Sequence, residues 1–391
     1  MQALKNEKIN KFIFCEYIIC AIIILSTLLM KSEVSSVFFS VSFIVLLVET
    51  VFISCRAEEK KNFNLSVLII ALSAFCVLFS SILLEAQITF EYLKEYFVFA
   101  ATILLLYVSS NVIVNNKTVN FILKFNIIIA ALYPIAYNFF PQENYFTDLS
   151  LNFTNPNLTG MWILQSVLYS FLGVLLLKHF IWKLASAFLI AYNVYLINLT
   201  AARNCIITLA LFVLMLAWAM FKPSPKLPKW ILVFVNIVPI CFVPMYLYLL
   251  DWIKAKGWLS FMVSKGKPLD SRVEIWNDII DKLNGHWIMG AYPESAGNSH
   301  NSHLVILASY GFMVMLLVII MMSSICLDIN KRIVSKKQTY ALIAFFAALF
   351  MGFGEGALFA GGQGIYIMIL GFVFLANGSY EDSVKKIEIA N

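Results

Sequence analysis

Twelve apolar blocks of roughly 20 residues follow one another along this chain of 391, each long enough to cross a ~30 Å hydrocarbon core as a helix. They predict helices over 12–30, 34–55, 63–84, 96–114, 120–140, 158–177, 181–199, 204–221, 230–250, 303–326, 339–354 and 362–377. Hydrophobic residues make up 61% of the chain and charged residues 13%, against about 25% charged in a soluble domain. The expected fold is an all-α polytopic membrane protein, a single integral membrane domain over residues 1–391. Met1 to Lys11 is basic and leads into an apolar block with no small-residue cleavage site behind it, the pattern of a retained first helix rather than a signal peptide.

An even number of spans puts both termini on one side. Placing them inside assigns 19 of the 28 Lys and Arg to inner segments, as the positive-inside bias of short loops requires. The outer side keeps Lys31, Lys94, Arg203 and six cations of one long polar connection, residues 251–299. Inner loops facing anionic lipid account for the net charge of +6 without any nucleic-acid partner. The seven cysteines lie in or beside apolar blocks and form no Cys-x-x-Cys pair, so neither a disulfide framework nor a zinc site is expected.

The long connection carries Lys254, Lys256, Lys265, Lys267, Arg272 and Lys282, and ends in Ser299-His300-Asn301-Ser302-His303-Leu304. A basic outer loop of this kind suits an anion. Within it, Ser271-x-x-Glu274 is a capping-box pattern, and Asn284-Gly285 is a stop signal. Val273, Trp276, Ile280 and Leu283 recur between them at helical spacing, so an amphipathic helix is expected, lying on the membrane surface or on the bundle.

Among the cations, arginine offers a planar fork that matches phosphate oxygens, where lysine offers a point charge. Arg203 stands at an outer helix start after Leu199-Thr-Ala-Ala; snorkelling to headgroups competes there with a functional role. Arg272 stands in a first helical turn that disfavours positive charge, with solvation or pairing to Glu274 or Asp278 as the plain alternative. His179 reads as solvated. His300 and His303, at i and i+3, share a face if both are helical; that would suit metal ligands, but no carboxylate pattern completes a site. A helix N-terminus beside two arginines favours a neutral histidine, which can act as a general base. Glu355 in Gly352-Phe-Gly-Glu-Gly is a supporting candidate, whereas the glycines around it read as packing residues. Asn155-Pro156-Asn157 reads as a turn.

Together these stretches resemble the O-antigen polymerase and O-antigen ligase superfamily of bacterial envelope glycan enzymes. Phe153-Thr-Asn-Pro-Asn157 looks like its Asn-Pro-Asn turn, and Thr200-Ala-Ala-Arg203 is similar to its Ser/Thr-x-Ser-Arg helix start, with Ala202 in place of Ser. Arg272 and Trp276 match its Arg-x-x-x-Trp. His300-Asn301-Ser302-His303-Leu304 with Gly311 resembles its His-Asn/Ser-x-aromatic-Leu and downstream Gly, with His303 at the aromatic position.

The resemblance implies glycosyl transfer at the outer face of the bacterial cytoplasmic membrane, both termini cytoplasmic, without cofactor or metal. The donor is an undecaprenyl-pyrophosphate-linked glycan. Arg203 and Arg272 hold the pyrophosphate, His300 is the catalytic base, and Asn157, Asn301 and Glu355 give support. Membrane lipid, a chain-length regulator and a flippase of the same pathway are the implied partners. The lipid enters sideways, with the apolar face of residues 272–283 lining the entrance. A polymerase joining lipid-linked repeat units is favoured over a ligase that transfers glycan to lipid A-core. A transporter or flippase is the competing class, and predicts broken helices and ionisable residues near helix midpoints.

Overall fold

The computed structural model describes residues 61–83, 90–139, 144–145, 148–149, 151, 156–255, 271–291, 301–352 and 365–380. The helices expected over 12–30 and 34–55, together with His300, Glu355, Lys256, Lys265 and Lys267, lie outside them.

Eleven helices form among the described residues. They are α1 (Lys61–Leu83), α2 (Phe90–Asn111), α3 (Asn116–Phe139), α4 (Pro156–Leu176), α5 (Phe180–Leu199), α6 (Arg203–Phe221), α7 (Lys229–Ala255), α8 (Ser271–Leu283), α9 (Ser302–Arg332), α10 (Lys336–Met351) and α11 (Ile365–Ala376). A two-residue ribbon, β1 (Asn144–Tyr145) against β2 (Asp148–Leu149), pairs antiparallel between α3 and α4. Apart from α8, which lies in the long polar connection, each described helix begins and ends within about six residues of its apolar block, because the blocks are separated by Asn, Pro, Gly and Lys residues that neither bury well nor continue a helix. Among the described residues, six helices are long and apolar enough to span a bilayer, and α7 makes a seventh if its two bent halves form one span. The chain is thus a helical, multi-pass membrane protein.

The bundle centre is α4, buried along most of its length from Pro156 to Leu176. Small residues let its neighbours approach closely. A Cβ on Gly173 would lie 2.5 Å from Ser186 Oγ of α5, and one on Gly160 would lie 2.7 Å from Ala202 Cβ. Towards α11, Tyr169 stacks on Phe372 with centroids 4.2 Å apart, and its hydroxyl donates to Met368 O.

Helix ends assigned to the inner side meet one another. Asn330 exchanges hydrogen bonds with the Leu227 backbone, at 2.8 and 3.0 Å. Arg332 Nη2 donates to Ser110 O, Asn377 Nδ2 donates to Ser109 O and Ser110 O, and Lys336 Nζ donates to Met220 O. These helix ends therefore lie together at one end of the bundle.

Two helices depart from the expected straight spans. α7 contains Pro239 and Pro244 and bends by 56° between Cys241 and Val243. Pro244 lacks an N–H and its ring crowds the carbonyl four residues back, which explains a break there. α9 is interrupted at Gly311, with φ 82 and ψ 176. A straight α9 would rise ~45 Å from Arg332 to Ser302. Ser302 N–H nevertheless donates to Gly352 O at 2.9 Å. The path back to Gly352, three residues of connection and then α10, reaches at most ~38 Å. Ser302–Tyr310 must therefore turn aside at Gly311 as a separate half-helix. Its residues are buried almost throughout, the condition under which an interrupted backbone is tolerated at membrane depth.

Residues 287–291 satisfy the backbone groups freed at this break. Phe312 N–H donates to Trp287 O and Ala291 N–H donates to Ala308 O, both at 2.8 Å. This stretch follows α8, which ends at Leu283 just before Gly285 (φ 84), at the expected stop signal. Trp276, Ile279 and Leu283 of α8 are fully buried. The helix lies on the bundle, and its apolar face cannot line a lipid entrance because protein already covers it. The buried register uses Ile279 where the spacing suggested Ile280, which is half-buried.

Candidate functional site

The α5–α6 turn presents Arg203. Thr200 Oγ donates to Ile197 O at 2.7 Å and accepts from Ala202 N–H at 3.3 Å. Ala201 takes φ 51, a left-handed conformation that costs a non-glycine residue about 1 kcal/mol. The turn reverses the chain and sets Arg203 in the first turn of α6. Its Nη2 is buried without a hydrogen-bond partner, although the residue as a whole is half-exposed. A buried guanidinium nitrogen left without an acceptor costs about 1–3 kcal/mol. An anion at that position would remove this cost.

Contacts connect this turn to two other segments singled out in the sequence. Gly160, three residues after Asn157, packs against Thr200, Ala202 and Cys205. Asn204 Nδ2 donates to Met351 O at 2.9 Å, and the next residue, Gly352, accepts from Ser302 N–H. The starts of α4, α6 and α9 and the end of α10 thus converge. Residues 353–364, with Glu355, leave from this point and lie outside the described residues.

Asn301 caps α9 with an extended backbone, φ −149 and ψ 117, its Oδ1 accepting from His303 N–H at 3.0 Å and Leu304 N–H at 2.9 Å. Its Nδ2 donates to Pro239 O at 3.1 Å, beside the α7 bend. Fully buried, Asn301 ties one broken helix to the other. The first-turn N–H groups of α9 are consequently occupied by protein acceptors. This half-helix end adds a positive field and no free donor to the region.

Asn301→Ala is expected to destabilise the protein by about 2–4 kcal/mol, from the lost cap and the orphaned Pro239 carbonyl. Asn301→Asp, which keeps the acceptor, should recover the cap share. Thermal unfolding of both purified variants measures the difference.

The two histidines of this stretch fall on either side of the cap. The described helix begins after Asn301, and His300, which lies outside the described residues, stands on the chain just before that cap. His303 is buried against the Asn236 backbone with Nδ1 unpartnered, in keeping with a packing position. Asn157 and Arg272 are half-buried and engaged. Arg272 begins α8, and the described contacts tie that helix to the site through residues 287–291 on α9.

Sequence reasoning missed Gly160, Met351 and Pro239, which carry the joints between these segments. The paired prolines of α7 were the legible clue to its bend, whereas nothing in a single sequence marks Met351. No family model, curated protein or solved structure matches the chain.

Proposed function

We propose that this protein is a membrane glycosyltransferase of the polysaccharide-polymerase type. It transfers a glycan from an undecaprenyl-pyrophosphate donor to the hydroxyl of a second lipid-linked repeat unit, at the outer face of a bacterial cytoplasmic membrane. The supporting observation is the buried, partnerless Nη2 of Arg203 where three chemistry-bearing segments converge. Arg203 binds pyrophosphate and stabilises the charge that grows as the lipid leaves; Arg272 supplies the second guanidinium. His300 takes the acceptor proton, and the acceptor oxygen attacks the anomeric carbon as its bond to the pyrophosphate breaks. Twelve spans with both termini cytoplasmic place this site outside, and a chain-length regulator and a flippase act with it. Among alternatives, a ligase shares every one of these residue roles and differs in acceptor.

A transporter is favoured by one specific observation, the pair of interrupted helices α7 and α9 joined at Asn301 and Pro239, since such breaks build substrate sites in transporters. Against it, Arg203 lies at a helix start and not at a midpoint.

Deletion of the gene separates the readings. In a strain with lipopolysaccharide, loss of a polymerase leaves core capped by a single repeat unit, and this is the expected phenotype. Bare core with accumulating lipid-linked polymer identifies a ligase. Loss of surface glycan while unpolymerised lipid-linked units collect on the inner leaflet identifies a flippase.

A further inference from the structure

A groove of about 630 Å³ runs between α7 and α9, within the range of single-ligand sites, roughly 300–1,000 Å³. Val233, Ile237 and Ile240 form one wall, and Phe312, Leu316 and Ile319 form part of the other. Ser323 and Ser324 put small side chains where larger ones would close it. Asp328 and Lys331 stand at its lower end, paired at 2.9 Å.

Two features say what fits. The first is length. From Phe312 to Lys331 the α9 wall rises ~28 Å, nearly the full ~30 Å hydrocarbon core. A phospholipid chain reaches only across its own leaflet, about half that distance, whereas a long polyisoprenoid chain can run through both. The second is continuity. Ile240 follows Pro239, whose carbonyl holds Asn301, and Phe312 follows the Gly311 break. The upper end of the groove therefore opens beside the junction that leads, through Ser302, Gly352 and Met351, to Asn204 and Arg203.

We infer that the α7–α9 groove holds the polyisoprenoid chain of the donor lipid. The inference rests on the proposed donor, and it gives the carrier's tail a place that the buried face of α8 cannot provide. Burying each methylene is favourable relative to water. In a bilayer most of that is already realised, so the groove contributes fit and alignment of the chain below the pyrophosphate more than raw affinity.

The test uses the full-length protein in lipid nanodiscs, with a photoreactive side chain at Leu316 in the groove or at Phe188 on the outward face of α5; both positions are exposed to the surroundings. The probe is undecaprenyl phosphate, which carries neither glycan nor pyrophosphate. Capture of the probe at Leu316 and not at Phe188, undiminished by a change of phospholipid headgroup, is the expected result. Equal capture at both positions would overturn the inference. So would capture at Leu316 of phospholipid alone, of residues 1–56 of the same chain, or of a second copy. As a second measurement, Ile320→Trp, which fills the groove from the other exposed flank, should raise KM roughly tenfold for the full-length donor and leave a short-chain donor nearly unaffected. Equal effects on both donors would count against the groove. Probe capture by a protein that transfers no glycan would uphold the groove and sink the glycosyl-transfer reading; transfer activity without capture would do the reverse.

Discussion

Replacing Arg203 by alanine should lower glycan transfer by roughly 10²–10³-fold, the scale of losing one preorganised charge-stabilising donor. Thermal stability should hold or rise, because the substitution removes a buried nitrogen that has no partner and whose burial costs about 1–3 kcal/mol. That combination separates a ligand-binding arginine from a structural one. A structural arginine would take stability down with activity. Arg203→Lys should recover activity only in part, since a point-charge ammonium cannot reproduce a bidentate contact. Initial rates with purified lipid-linked donor, set beside thermal unfolding of the same preparations, test both halves. Full activity in the alanine variant would remove the anion from this turn.

Gly311→Ala should have the opposite signature, with stability and activity failing together. At φ 82 and ψ 176 the backbone occupies a region open almost only to glycine, costing other residues roughly 1–3 kcal/mol. The new Cβ would also fall 2.0 Å from Ile288 O, a clash of backbone with methyl that no rotamer change relieves. Residues 287–291 would have to lift, and the bonds from Phe312 N–H to Trp287 O and from Ala291 N–H to Ala308 O would go with them. Each is worth ~1 kcal/mol net, so a total loss of about 4 kcal/mol or more is expected, in the range reserved for named structural faults. Limited proteolysis should show early cleavage within residues 284–291, and thermal unfolding should show the drop. Gly285→Ala offers an internal control, because its φ is also positive, 84°, yet nothing lies within 4 Å of the added carbon.

These two residues mark the boundary between what the chain spells out locally and what folding decides. Helix positions were legible because each block meets its own hydrogen-bonding and burial needs over ~20 consecutive residues. α5 and α6 accordingly begin and end almost where the apolar runs do. The alternation of ends was legible too, since lysines and arginines cluster at the ends that meet around Asn330, Arg332 and Ser110. The importance of Arg203 could be argued from residue type and position, because a guanidinium at a span's outer end needs a reason. Its missing partner could not be read, since a partner is defined by chain segments some 150 residues away. The same holds for Gly311: the resemblance marked the residue, but the helix break there could not be read until Ile288 is laid against it. The half-helix Ser302–Tyr310, the joint between Asn301 and Pro239, and the burial of α8 all depend on contacts distant in sequence. Helical periodicity is a property of neighbours along the chain; where a helix must break, and what covers the break, is settled by which other segment supplies the hydrogen bonds.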